Sequence, residues 1–191
     1  RSERAAGQLP PLPDDCRVAY ITYDDPDSLC SAFTDAQSVI HLAGLLIERP
    51  GSSYEKANVE PPRAVVEAAR QSAVKKLVLI SAVGSDESSA NRYFRSKGQA
   101  EALVRASGLA YTILRVPLLL GRGTEGAAAL RRHLSRPTVR LIGGGRHLDQ
   151  PLDVGDVAAA AKRACGSDSA HNRTLELVGP VTLQHREIII R

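Results

Sequence analysis

The chain has only three cysteines, Cys16, Cys30 and Cys165, far apart and without a Cys-x-x-Cys pair. Such an odd, scattered set excludes a disulfide framework and a cysteine-based zinc site, and it fits free thiols in a reducing compartment. Aromatic residues are 4% of the sequence, and none interleave with its basic stretch, which argues against a stacking platform for single-stranded nucleic acid. No apolar run approaches the ~20 residues that cross a bilayer and no secretory leader pattern is visible, so a soluble, cytoplasmic protein without a transmembrane segment is expected. Internal repeats and low-complexity linkers are lacking. No His, Cys and Asp residues recur at metal-ligand spacing, and no metal is expected. A strong excess of one charge is also missing, the excess of base being mild. A net charge of +4 and a pI near 9.2 are compatible with a phosphate-bearing ligand but far from the footprint of a nucleic-acid binder.

What is present is an ordinary globular composition, 43% hydrophobic and 24% charged over 191 residues, enough for one domain. Apolar runs at 17–21, 38–43, 77–80 and 111–116 read as strands, each short, aliphatic and β-branched. Between them, helical patterns begin near Pro26, run over 54–71 with a split at Pro61 and Pro62, and cover 91–107. Further on, 127–134 reads as a helix, 139–142 as a short strand, the stretch after Asp153 and Asp156 as an alanine-rich helix, and 174–178 as a last strand. Alternation of this kind predicts an α/β fold, a doubly wound parallel sheet covered on both faces.

Ser81 closes the 77–80 run, where open α/β sheets place ligands, and Tyr93-Phe-Arg-Ser-Lys97 follows it. Four residues is about one helical turn, so Tyr93 and Lys97 share a face. A phenol, an ammonium and a hydroxyl that converge there form a proton-transfer site. The ammonium would lower the phenol's pKa, and the hydroxyl would orient a carbonyl or alcohol. Tyr-x-x-x-Lys alone is a pattern any helix can carry, and an exposed pair without a role is the alternative.

The serine followed by Tyr-x-x-x-Lys resembles the short-chain dehydrogenase/reductase superfamily. Five further segments, in family order, resemble its extended and atypical branch: Asp25-Pro-Asp-Ser-Leu29, Val39-Ile-His-Leu-Ala-Gly44, Leu114-Arg-Val-Pro117 with Gly121, Gln150-Pro-Leu-Asp-Val-Gly-Asp-Val-Ala158, and Glu176-Leu-Val-Gly-Pro180. Tyr-x-Arg-Ser-Lys and Gly-Gly-Gly-Arg are similar to the group that includes the nucleotide-binding accessory subunit of respiratory complex I, with epimerase/dehydratase-like proteins nearby. The resemblance implies a Rossmann-like domain whose glycine-rich phosphate loop would lie before Arg1, and so an N-terminally truncated chain. Residues 1–120 would form the nucleotide-binding part and 121–191 a small substrate-side region. It implies catalytic roles for Ser81, Tyr93 and Lys97, and cofactor contacts from Arg1, Ser2, Thr22, Tyr23, Leu42, Ala43, Gly44, Tyr93, Lys97, Pro117 and Leu118. Arg1-Ser2 would end the strand that reads the adenosine ribose. An arginine there complements a 2′-phosphate, so NADP(H) is favoured over NAD(H). Thr22 stands where relatives usually carry an aspartate.

Other residues have plainer readings. Gly121-Arg-Gly-Thr-Glu-Gly126 matches Gly-x-Gly-x-x-Gly, but Pro117 interrupts the feeding strand, and a loop rimming the substrate cleft is expected. Asn58 could serve a proton relay or a helix kink. His41 reads as a packing histidine, and Asp153 and Asp156 as helix N-terminal residues. Arg131, Arg132, His133, Arg136 and Arg140 form the densest basic stretch, a solvated helix face or a surface for a protein partner. Two functions remain open. One is an NAD(P)-dependent oxidoreductase or epimerase/dehydratase acting on a small or nucleotide-activated substrate. The other is a non-catalytic nucleotide-binding assembly or sensor subunit, peripheral to the inner membrane if it is like the complex I subunit.

Overall fold

A computed structural model describes residues 12–190. The first helix among the described residues, α1 (Pro26–Ala32), starts where Asp25 accepts hydrogen bonds from the backbone of Asp27 and Ser28, with Pro26 in its first turn. Strand β1 (Ser38–His41) follows. A π-helical turn at Glu55–Val59 leads into α2 (Glu60–Gln71), and Pro61 and Pro62 fall in the first turn of α2, where missing N–H donors cost nothing. The expected split of this helix is therefore present. Then come β2 (Lys76–Ala82), α3 (Arg92–Arg105) capped by Asn91, and β3 (Ala110–Val116).

Beyond Pro117 the elements are β4 (Leu119–Leu120), α4 (Glu125–Leu134), β5 (Leu148–Asp149), β6 (Leu152–Asp153), α5 (Val154–Gly166), β7 (Arg173–Glu176), β8 (Leu183–Gln184) and α6 (His185–Ile190). The main sheet has the order β1-β2-β3-β7, and its three pairings are all parallel. Thr112 of β3 pairs with Arg173 of β7, so the outer strand arrives from far along the chain. Two small ladders, β4 with β6 and β5 with β8, complete the later region.

Alternation along β2 decides which helix covers which face. Leu77 and Leu79 pack with Leu29, Val65, Ala69, Ala100, Val104 and Ile113, beneath α1, α2 and α3. Val78 points the other way, to Leu114 and to Ala161 and Ala164 of α5. Both faces of β2 are thus dry, as a central parallel strand requires. Each of the leucine, valine and isoleucine side chains contributes about 1.5–3 kcal/mol by leaving water.

Two expected strands are not formed. Residues 17–21 run past the sheet with Val18 and Tyr20 exposed, and only Ile21 and neighbouring Tyr23 reach the core. Without a ladder partner among the described residues, β propensity alone does not make a strand. Residues 139–142 likewise join no ladder among the described residues, and Ile142 is 92% exposed. Gly121–Gly126 links β4, a member of a two-residue ladder, to α4, whose first turn is capped by Thr124.

Candidate functional site

The carboxyl ends of β1, β2 and β3 open on one rim of the sheet, where the backbone leaves the ladders. From β1 come exposed Leu42, half-buried Ala43 and exposed Gly44, and from β3 half-buried Pro117 and Leu118. Lys97 reaches this rim from α3, buried to 7% exposure, and donates to the Ile80 carbonyl at 2.9 Å. A Cβ on Gly44 would stand 3.9 Å from its Nζ and 3.2 Å from the Asn58 Oδ1. Asn58 is itself buried. It accepts from the Leu45 N–H at 2.6 Å and donates to the Leu45 carbonyl at 3.1 Å and to Ser96 Oγ at 3.0 Å. It therefore clamps the segment after β1 to α3.

Tyr93 is half-buried, one turn before Lys97, and its ring lies 5.8 Å from Tyr54 and 5.4 Å from Phe94. Tyr54 donates its hydroxyl to the Leu46 carbonyl at 3.1 Å, and the Glu48–Arg92 ion pair at 2.8 Å fastens the same segment to the start of α3. Burial, and secondarily Tyr54, push the Tyr93 phenol above its ordinary pKa. Burial lowers Lys97 to about 8, opposed in part by the charge of Glu101. This corrects the expectation that Lys97 depresses the Tyr93 phenol. One ammonium N–H goes to a backbone carbonyl, and desolvation is the largest cause of both shifts.

Ser81 is not joined to either. Its hydroxyl donates to Glu101 Oε1 at 2.6 Å and contacts Ser85 Oγ at 3.1 Å. The period of two puts Ser81 on the face of Leu77 and Leu79, beneath α3. Glu101, fully buried, is held by Arg115 through Nε at 2.9 Å and Nη2 at 2.8 Å, and by Arg105 one turn on. Arg115 also donates to Ser85 O at 2.9 Å and to Glu176 at 3.2 Å. Ser85, Glu101, Arg105 and Arg115, with Asp86, Glu87 and Gly98, line a polar cavity of about 250 Å³. The network was readable in outline: an arginine inside an apolar strand needs a buried anion, and Glu101 stands one turn from both Lys97 and Arg105.

Among the other residues singled out, His41 is buried with its ring 6.3 Å from Tyr23, and Thr22 is exposed, its N–H donating to Ser28 Oγ at 3.3 Å. Arg1 and Ser2 lie outside the described residues. Asp153 caps α5 by accepting from Gly155 N at 2.7 Å, and Asp156 lies in that helix's first turn. Arg131, Arg132 and Arg136 border an open hollow beside α4 with Ala128 and Ser135; Arg140 and His133 are not part of its lining.

A parallel sheet with helices on both faces and a lysine-bearing rim defines a nucleotide-binding class, and residues 2–141 match the family described as NAD(P)H-binding. The chain belongs to that family. It is similar to NADH dehydrogenase [ubiquinone] 1 alpha subcomplex subunit 9, mitochondrial, of Arabidopsis thaliana, 30% identical over 190 residues, 95% of this chain and 44% of that protein. Ceramide reductase of Caulobacter vibrioides is 29% identical over 153 residues, 79% of this chain and 48% of that one. The chain thus spans less than half the length of these curated relatives. Among solved structures, MoeE5 in complex with UDP-glucose and NAD superposes with a TM-score of 0.74 at 22% identity, over 87% of this chain and 65% of that one. A UDP-glucose 4-epimerase from Thermotoga maritima gives 0.70 at 19% identity, over 89% and 65%. These likenesses show the fold. No helix among the described residues is long and apolar enough to cross a membrane.

Proposed function

We propose that the protein containing this chain holds NAD(P)H as a bound ligand, in an assembly or sensing role, rather than turning it over through a serine-assisted proton transfer. The observation that carries this reading is Ser81, whose hydroxyl is spent on the buried Glu101–Arg115 pair. Ala82 and Val83, the residues that follow, offer no replacement hydroxyl. A phenol pushed above its ordinary pKa also acts poorly as a base near neutrality. The likeness to the accessory subunit of a respiratory dehydrogenase supports the same reading.

The rim fits a dinucleotide. Lys97 has three N–H donors and gives one hydrogen bond among the described residues, so two are available to ribose hydroxyls. Gly44, exposed and without a side chain, lets a ligand approach the backbone beside that lysine. Ala43, Pro117 and Leu118 would flank the nicotinamide end, and Thr22, Tyr23 and Leu42 the adenosine end. The cofactor, when bound, supplies hydride chemistry; the chain binds and orients it. Arg1 favours NADP(H) over NAD(H) through its complementarity to a 2′-phosphate.

A second reading, an oxidoreductase or epimerase/dehydratase on a small or nucleotide-activated substrate, is favoured by Tyr93 standing one turn from Lys97. It is supported too by the likeness to ceramide reductase. Tyr93→Phe separates the two. In the full protein, NADPH affinity measured by fluorescence titration should stay within about twofold, because the ring remains, while Lys97→Met should weaken it by about tenfold or more. Loss of a measurable turnover in Tyr93→Phe, with binding intact, would establish the enzymatic reading instead.

A further inference from the structure

Independently of the nucleotide rim, we propose that His147, Asp149 and His185 form a binding site for a first-row divalent transition ion, zinc above all. The site is built by the β5–β8 ladder. Leu148 pairs with Gln184 and Asp149 with Leu183, and the His185 N–H donates to the His147 carbonyl at 2.9 Å. That antiparallel register sets His147 opposite His185, and Asp149 two residues along shares their face. The two rings stack with centroids 4.5 Å apart. Asp149 Oδ2 lies 2.8 Å from His185 Nδ1 and 3.4 Å from His147 Nε2. The donor atoms of all three residues fall within 4.8 Å of one another.

The chain makes this approach possible with glycine. Gly143, Gly144 and Gly145 all have positive φ, and a Cβ on Gly145 would lie 2.8 Å from Leu141 Cδ1 and 3.0 Å from Arg186 Cβ and N. A larger residue there would push β5 away from the start of α6. Sequence spacing hides the site, because the third donor, His185, opens α6 far along the chain.

The donor set selects the ligand class. Two imidazole nitrogens and one carboxylate suit zinc and its neighbours, whereas calcium and magnesium prefer all-oxygen shells. Donors bound at ~2.0–2.1 Å around a tetrahedral ion stand ~3.4 Å apart, as Asp149 Oδ2 and His147 Nε2 do at 3.4 Å. Asp149 Oδ2 and His185 Nδ1, at 2.8 Å, would separate to admit the ion. Three protein donors leave a fourth position for water or an incoming anion. An ion at this point would tie 147–149 to the beginning of α6.

The test is titration of the full, metal-stripped protein with zinc by calorimetry and with cobalt by visible absorption. We expect one equivalent bound with cobalt d–d bands, and a melting temperature raised by zinc. His147→Ala, on a 55% exposed side chain, and Asp149→Asn should each weaken binding by about tenfold or more and remove the zinc-dependent rise. The melting temperature in chelator should stay unchanged in His147→Ala. His171→Ala, which removes a His–Asp contact away from the site, should bind like the parent. Absence of stoichiometric binding, unchanged affinity in both variants, or a sulfur-to-cobalt charge-transfer band that places the ion on a cysteine would each overturn the proposal.

Discussion

Glu101 and Arg115 meet through two hydrogen bonds, Nε to Oε1 at 2.9 Å and Nη2 to Oε2 at 2.8 Å, on a carboxylate with no solvent exposure. Through it, β3 is fastened to α3, and Ser81 of β2 joins the same oxygen. The pair raises the guanidinium well above the ordinary arginine pKa, with the Glu101 hydrogen bonds as the main cause. A charge placed this deep is held in one geometry by its partners, and so is the strand end that carries Ser81.

Removing the carboxylate should therefore cost far more than removing the hydroxyl. Glu101→Ala leaves Arg115 facing a buried space and should lose about 3–5 kcal/mol of stability. Ser81→Ala gives up one hydrogen bond to a charged acceptor, about 1.5–3 kcal/mol. Urea unfolding followed by circular dichroism measures both. Equal losses, or a Glu101→Ala loss below about 1 kcal/mol, would mean that the network is not a structural tie.

Lys97 gives a pH signature. Its folded pKa of about 8 lies below the ordinary 10.5, so between these values the unfolded chain holds more protons than the folded one. Stability then rises with pH from about 8 towards 10.5, and the contribution is absent below about 8. Lys76, also lowered by burial, acts in the same direction. The difference between the parent and Lys97→Met isolates the Lys97 part: the parent's slope should be steeper in this window. NADPH affinity should move the other way and decline above pH 8 as the ammonium is lost. A parent and variant with parallel stability profiles would contradict the lowered value.

Gly98 should tolerate nothing larger. A Cβ there would lie 2.3 Å from Glu87 N and 2.4 Å from the Asp86 carbonyl carbon, and backbone cannot step aside as a side chain can. Gly98→Ala, ordinarily a gain in a helix interior, should instead cost about 1–3 kcal/mol and loosen the segment after β2. Thermal unfolding and amide exchange at residues 84–89 would register it. A raised melting temperature is the result that would count against this packing.

Much of the fold was legible because its signals are local. The aliphatic runs of β2 and β3, the cap at Asn91 and the prolines opening α2 each carry their own physical cause in neighbouring residues. Residues 17–21 misled for the complementary reason: their composition suits a strand, but a strand exists only if another one accepts its hydrogen bonds. At the rim, the Tyr93–Lys97 spacing and the small residues after β1 could be read directly. The direction of Ser81 could not. It depends on where β2 begins its alternation and on Glu101, which lies twenty residues further on. The fall in the Lys97 pKa, likewise, follows from burial that only the assembled helix and sheet produce.

The late arrival of β7 and α5 has a consequence for biosynthesis. Val78 and Leu114 are complete long before Ala161 and Ala164 can cover them, and Thr112 waits for Arg173. A nascent chain stalled near residue 140 would present a bare aliphatic sheet face and an unmatched strand to solvent. Such an intermediate is a natural client for holding chaperones, and its lifetime, rather than the finished protein's stability, would set the yield on expression.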